Sequence, residues 1–413
     1  MVRISRMRGA QTFLSALLLF IAPALFAADR YEHPIHAALT WRGGKVTIDH
    51  RFGKLDLHTT GGNEVNVRGT VRSSDPEFGR QIRFNVSESG GGVTIRTDVP
   101  EIHWHGNLSY SIDIDVSVPA NAPLSVRNRF GSITASGVHA ASEFTNAQGS
   151  MQLTDLRGSQ RIENSFGSVT VTNSGGDTVI RNANGSVTVT HVGGSLDVSD
   201  RFGSVRVENV DRGLTLKNEN GNVDVRDVGG NAAISTSFAS ANVSNIRGAL
   251  DLTSANGNVV VTEAGRTSIR TSFASVRATT IRGDADVHDE NGNVTLSGVA
   301  GGAKVRTTFG SVFLKGINGR ISVENQNGAI SVSDPPAGKC RDISLKTNFS
   351  SIRVALAPHA GYNVHARTSF GSIRSDLPIT ASGSLSQENI TGTINGGGCR
   401  LELETANGNV TIE

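Results

Sequence analysis

Apolar and polar residues alternate along this chain in short runs that recur at a fixed interval. From Phe130 to about Val332, units of 18 residues can be numbered from a Phe or an Asn, and apolar residues fall at positions 4, 6, 9, 13 and 15. In the unit from Asn184 these are Val187, Val189, Val192, Leu196 and Val198, and in the unit from Phe202 they are Val205, Val207, Val210, Leu214 and Leu216. Positions 4 and 6 form one strand of period two, and positions 13 and 15 form a second. The units begin alternately with Phe-Gly and Asn-Gly, so Phe recurs every 36 residues, at Phe166, Phe202 and Phe238. The register runs from Gln148 to Asn327 with one single-residue deletion, between Asn256 and Phe273.

A period in this range marks a stack of like units that bury themselves against their neighbours. Two strands per unit, running the same way, predict an all-β fold, a parallel β-helix or β-solenoid with an 18-residue coil. About 16 coils at roughly 4.8 Å each would make a rod of about 75 Å. A 36-residue coil of four strands is the alternative, and it would stack Phe on Phe and Asn on Asn. Gly at position 11 (Gly158, Gly176, Gly194, Gly230) is expected at the bend between the two strands with positive φ. The Phe-Gly and Asn-Gly pairs supply the other bend.

The flanks divide the chain. Residues 1–28 read as a signal peptide, with Arg3, Arg6 and Arg8 before an apolar run from Phe13 to Phe26 and small residues at Ala27 and Ala28. Residues 29–126 carry strand patterns without strict period, among them Lys45 to Asp49 and Tyr110 to Val118, and are expected to start and cap the solenoid. Residues 127–335 are the regular repeats. Residues 336–413 are less regular coils after the loop Ser333 to Gly338, and the motif returns at Phe349, Phe370 and Asn407.

Composition narrows the function. The 413 residues include 39 basic and 37 acidic side chains, a net charge of +2, which argues against a nucleic-acid partner. The signal-like segment 1–28 leads to an expectation of export to the periplasm, cell surface or medium, and no later segment reads as a transmembrane span. Cys340 and Cys399 are the only cysteines. Each precedes an alternating strand, about nine residues before Phe349 and Asn407, so a disulfide is expected in an exported protein if no coil separates them.

Residues that could carry chemistry are few. His103-Trp104-His105 is the most unusual local cluster, read as a surface loop of the cap with a metal or sugar-stacking role as the alternative. Asp177 follows Gly175-Gly176, but Ser195 and Asn231 stand at the equivalent places, which fails the calcium-binding repeat pattern. The outward Thr170, Thr172, Thr188 and Thr190 give way to Arg206 and Asp224, so no long threonine ladder forms. Outward Arg181, Arg206, Arg226, Arg277 and Arg306 are interleaved with acids and read as a solvated face. The short turns build no cleft, so no catalytic, cofactor or metal residues are assigned and the protein is expected not to be an enzyme.

The repeat, together with the tail from Ile390 to Val410, resembles a bacterial family of unknown function described as candidate adhesins with β-strand repeats. The stretch Gly43 to Ile48 with Phe52-Gly53, and the strand ending Val118-Pro119, are similar to that family too. The resemblance implies a right-handed β-solenoid in or beyond the cell envelope, and it carries no catalytic residues. The expected function is a secreted adhesin or envelope scaffold binding an unidentified protein or glycan. A carbohydrate-active β-helix enzyme, with its site near residues 74–108, and an envelope-stress signalling accessory are the alternatives.

Overall fold

The computed structural model describes residues 31–101, 108–338, 340–381 and 386–413. The signal-like residues 1–28 and the His103-Trp104-His105 cluster lie outside the described residues.

The chain is an all-β solenoid of about 13 regular turns at 18-residue spacing. Each turn carries two strands, so the coil has two sheet faces. On one face Gln160–Phe166 pairs in parallel with Thr178–Asn184, which pairs with Leu196–Phe202. On the other, Val169–Ser174 pairs with Val187–Val192 and that strand with Val205–Val210. From Leu124 to Ile330 every step is 18 residues, except the 17 from Leu250 to Thr267 and from Val259 to Val276, where the deletion falls. This settles the coil length: a 36-residue coil would pair Phe166 with Phe202, whereas Phe166 lies beside Asn184 and Asn184 beside Phe202.

The five apolar positions are buried. Val187, Val189, Val192 and Val198 are fully shielded, and Leu196 nearly so. They stack in columns through the array, one thin core bounded by the two faces, while the intervening side chains point outward. Parallel ladders satisfy the backbone between turns.

The bends depart from the expectation in one respect. Of the position-11 glycines in the regular array only Gly158 has a left-handed backbone, φ 74°. The others are required by close stacking instead: a Cβ on Gly176 would lie 2.2 Å from the Gly158 carbonyl oxygen, and one on Gly194 2.4 Å from the Asp177 nitrogen. The left-handed residue is position 8, three places earlier. Asp155, Asn173, His191, Asn209, Asp227, Asn245, Glu263 and Thr280 all have φ between 52° and 66°. Asn and Asp tolerate this conformation better than other non-glycine residues.

Both ends interleave. Near the N-terminus the coil of Val46–Asp49 and Leu55–Thr60 lies between the coil of Gly92–Asp98 and Tyr110–Pro119 on one side and that of Leu124–Phe130 and Ile133–Ser136 on the other. Near the C-terminus the last coil, Cys399–Thr405 and Val410–Ile412, inserts between the coils of Ile343–Thr347 and Tyr362–Thr368. Antiparallel strands then close the stack. Tyr31–Thr40, Glu64–Ser73 and Arg83–Ser89 cover the first end, and Asn389–Ile394 with Thr380–Ala381 covers the last. A reversed strand ends the parallel template on which another chain could add. The short helix Pro76–Gln81 sits in the N-terminal cap, its first amides held by the Asp75 carboxylate.

Candidate functional site

The feature that sequence alone left unassigned is the corner carrying the alternating Phe and Asn. In stack order the residues at this corner are Phe52, Phe130, Gln148, Phe166, Asn184, Phe202 and onward to Asn327. The register then brings Phe349, Asn407 and Phe370 into line, because Thr347 and Thr368 both face Thr405. Inserting the last coil out of chain order therefore keeps Phe and Asn alternating to the end of the rod.

These Phe side chains are not core. Phe166 is 56% exposed, Phe238 64% and Phe370 77%. A Gly follows most corner residues, with Ala239, Ala274 and Ser350 after Phe238, Phe273 and Phe349, and the turn is tight enough to favour it: a Cβ on Gly203 would sit 2.2 Å from the Gly185 carbonyl oxygen. Behind each corner a polar residue is buried two places earlier, at Asn128, Asn146, Asn164, Asn182, Asp200, Asn218 and on to Asn325. Their amides cap corner carbonyls: Asn164 Nδ2 donates to the Gly167 oxygen at 2.8 Å and Asn218 Nδ2 to that of Gly221 at 2.7 Å. This inner ladder escaped the apolar pattern because its residues are polar. The recurring Asn two places before Phe or Asn was the available signal.

Two members of the ladder are ionisable. Asp200 accepts from Asn182 Nδ2 at 3.0 Å, and burial pushes its carboxyl up to about 6. Asp289 accepts from Thr271 Oγ1 at 2.7 Å, and burial raises it as well. His50 occupies the same place in its coil, fully buried, with Nδ1 3.0 Å from Thr97 Oγ1, and burial lowers it to about 4.

Elsewhere the surface is shallow. A groove of about 390 Å³ beside the aromatic corner is lined by Glu163, Arg181, Asp200, Arg201 and Glu219 among others. A groove of about 670 Å³ follows the left-handed corner past His191, Asp211, Asp227 and Arg247. Among the described residues no three His, Cys, Asp or Glu side chains converge as a metal site. Asp177 has a structural partner instead, accepting from the Ser195 amide at 2.8 Å in the next turn. Arg181 pairs with Asp197, Arg206 with Glu208 and Asp224, Arg226 with Asp224, and Arg306 with Glu324. Cys340 and Cys399 are joined, Cα to Cα 5.6 Å, since the strands Ile343–Thr347 and Cys399–Thr405 are neighbours.

A thin β-solenoid with flat faces, capped ends and an aromatic corner defines the class. Residues 211–413 match the family described as Toastrack DUF4097, so the resemblance carried by the repeat is borne out over those residues. Among solved structures, a candidate cell adhesion protein from Clostridium sporogenes aligns over 92% of this chain and 99% of its own at 9% identity and TM-score 0.18. A candidate adhesin from Parabacteroides distasonis aligns over 72% and 96% at 11% identity and TM-score 0.25. A candidate lipid-binding protein from the same species aligns over 71% and 96% at 10% identity and TM-score 0.21. Overlap this low carries no argument about function. No curated protein matches the chain. No helix among the described residues is long and apolar enough to cross a membrane.

Proposed function

We propose that this protein is an exported, non-enzymatic adhesion or envelope scaffold that holds its partners against the flat strand faces of the solenoid. The carrying observation is the unbroken stack: successive turns superpose from Leu124 to Val332 without an insertion longer than the regular bend. Ligand sites in enzymes are concave and are built by loops that leave the scaffold. Here the outward strand positions offer Ser, Thr, Asn and paired charges over a long flat area, a surface suited to many weak contacts along an extended partner. The leader-like segment 1–28 agrees with export.

The test is to immobilise the mature protein and challenge it with a glycan panel, envelope extracts and lipid vesicles, following both retention and product release. Saturable retention with unchanged ligand is expected. Release of a cleaved product would overturn the reading in favour of the carbohydrate-active alternative. Cell fractionation with N-terminal sequencing tests export, and a full-length chain retained in the cytoplasm would exclude it.

A further inference from the structure

The aromatic corner has the form of one half of a zipper. Consecutive turns lie about 4.8 Å apart, so Phe on every second turn leaves slots about 9.6 Å from ring to ring. The Asn between them does not fill the slot. Asn184 Nδ2 lies 3.3 Å from the Ser165 carbonyl oxygen and Asn220 Nδ2 3.5 Å from that of Arg201, so these side chains fold back on the preceding turn. The molecule itself shows what fits such a slot. Where two Phe occupy neighbouring turns, at Phe52 and Phe130, their rings stack with centroids 4.6 Å apart and planes within 7°. The flanks permit close approach, since most residues just before the corner are small: Ser165, Ala183, Ser237, Ala255, Ser272 and Thr308.

We propose that this corner is the interface of an antiparallel homodimer, in which each Phe of one copy enters the slot at an Asn or Gln turn of the other. An occupant that fills every slot must present flat apolar groups at the same two-turn period, and a second copy of this chain does so. The counting closes. From Gln148 to Phe370 the corner holds seven Gln or Asn turns and seven Phe turns in strict alternation. A two-fold axis between the Asn256 and Phe273 turns places Phe273 at Asn256 of its mate, Phe166 at Asn407 and Phe370 at Gln148, with no ring left over. Such a contact is isologous and closed. The seven rings are 50% to 77% exposed, which at roughly 200 Å² per ring amounts to about 800 Å² per copy, the share each partner contributes to a stable interface. The proposal is independent of the adhesion reading, because the strand faces stay free in the dimer.

The axis makes the test specific. Asn256 lies one turn, about 4.8 Å along the rod, from its own mate, whereas Asn327 lies seven turns, about 34 Å, from its mate. The full mature chain with its native disulfide is studied by light scattering and by oxidation of single-cysteine variants. Twice the chain mass at micromolar concentration, rapid covalent dimer formation by N256C and none by N327C are expected. F238S/F273S should weaken dimerisation at least 100-fold while keeping the β-sheet circular dichroism of the parent. A monomer at all concentrations, a dimer that survives F238S/F273S, or equal cross-linking of N256C and N327C would each overturn the proposal. Because the cysteine variants leave every Phe in place, their result stands even if the double Phe variant misfolds.

Discussion

Asp200 stands where most neighbouring turns of the inner ladder have Asn. Its side chain is buried at 2% exposure, and burial outweighs the amides of Asn182 and Arg201 that it accepts from, so its charged form is disfavoured and its pKa rises to about 6. The native state then binds more protons than the unfolded chain between about pH 4 and 6, and stability falls as pH rises through that window. Asp200→Asn restores the amide of its neighbours. It is expected to raise stability at pH 7 by about 1 to 2 kcal/mol after allowance for solvent screening, and to change little at pH 4, measured by thermal unfolding at both pH values. His50 has the opposite sign. Its native pKa of about 4 lies below the ordinary value, so the unfolded chain takes up the extra proton and stability is lost as pH falls from about 6.5 to 4. His50→Asn should flatten that acid limb; an unchanged limb would refute the assignment. Thr280 is a third case. It is the β-branched member of the left-handed ladder, at φ 58°, a conformation that costs such a residue roughly 1 kcal/mol or more. Thr280→Asn is expected to gain about 1 kcal/mol in denaturant melts.

Among the elements, the C-terminal coil is decisive. Tyr362–Thr368 has no direct ladder to Ile343–Thr347; both pair with Cys399–Thr405, which arrives later in the chain. The coils that precede it can therefore complete only when the last one inserts. Truncation after Gly398 should leave the array through Val332 intact and release residues 362–398, seen as new proteolytic sites confined to that segment. The Cys340–Cys399 bond staples the same insertion across 59 residues, a loop whose closure is worth about 4 kcal/mol in the chain-entropy model. Cys340→Ser/Cys399→Ser should accelerate hydrogen exchange first in Cys399–Thr405 and its two neighbours. Intact mass after alkylation without reductant checks the bond, and two alkylated thiols would refute it.

For the whole molecule, stability in a stack is close to a sum over turns and their interfaces. Removing one full turn, residues 203–220, joins Phe202 to Gly221 and keeps every ladder in register. The shortened chain should retain β-sheet circular dichroism and a cooperative transition. A deletion of nine residues, which puts one face against the other, should aggregate. The same additivity explains how one corner can be decorated with Phe at no cost to the core: the corner side chains point outward, and the columns of Val, Leu and Ile beneath do not depend on them.

The apolar columns were legible in the sequence because each inward position meets the same position one turn away, so one local environment recurs and selects one residue type. Val187, Val205 and Val223 declare the core without any coordinates. The 18-residue period and the all-β class followed from that repetition. The inner ladder from Asn128 to Asn325 was harder to read, since buried polar groups follow hydrogen-bond demand and not hydropathy. The position of the left-handed bend was misplaced by three residues, because glycine serves close stacking in this fold as readily as positive φ. Only the tertiary structure decided that Phe and Asn share one exposed corner, and that the ends interleave so that Asn407 falls between Phe349 and Phe370. Those are relations between residues distant in the chain, set by which coil stacks on which, and a local pattern of apolar and polar positions holds no record of stacking order.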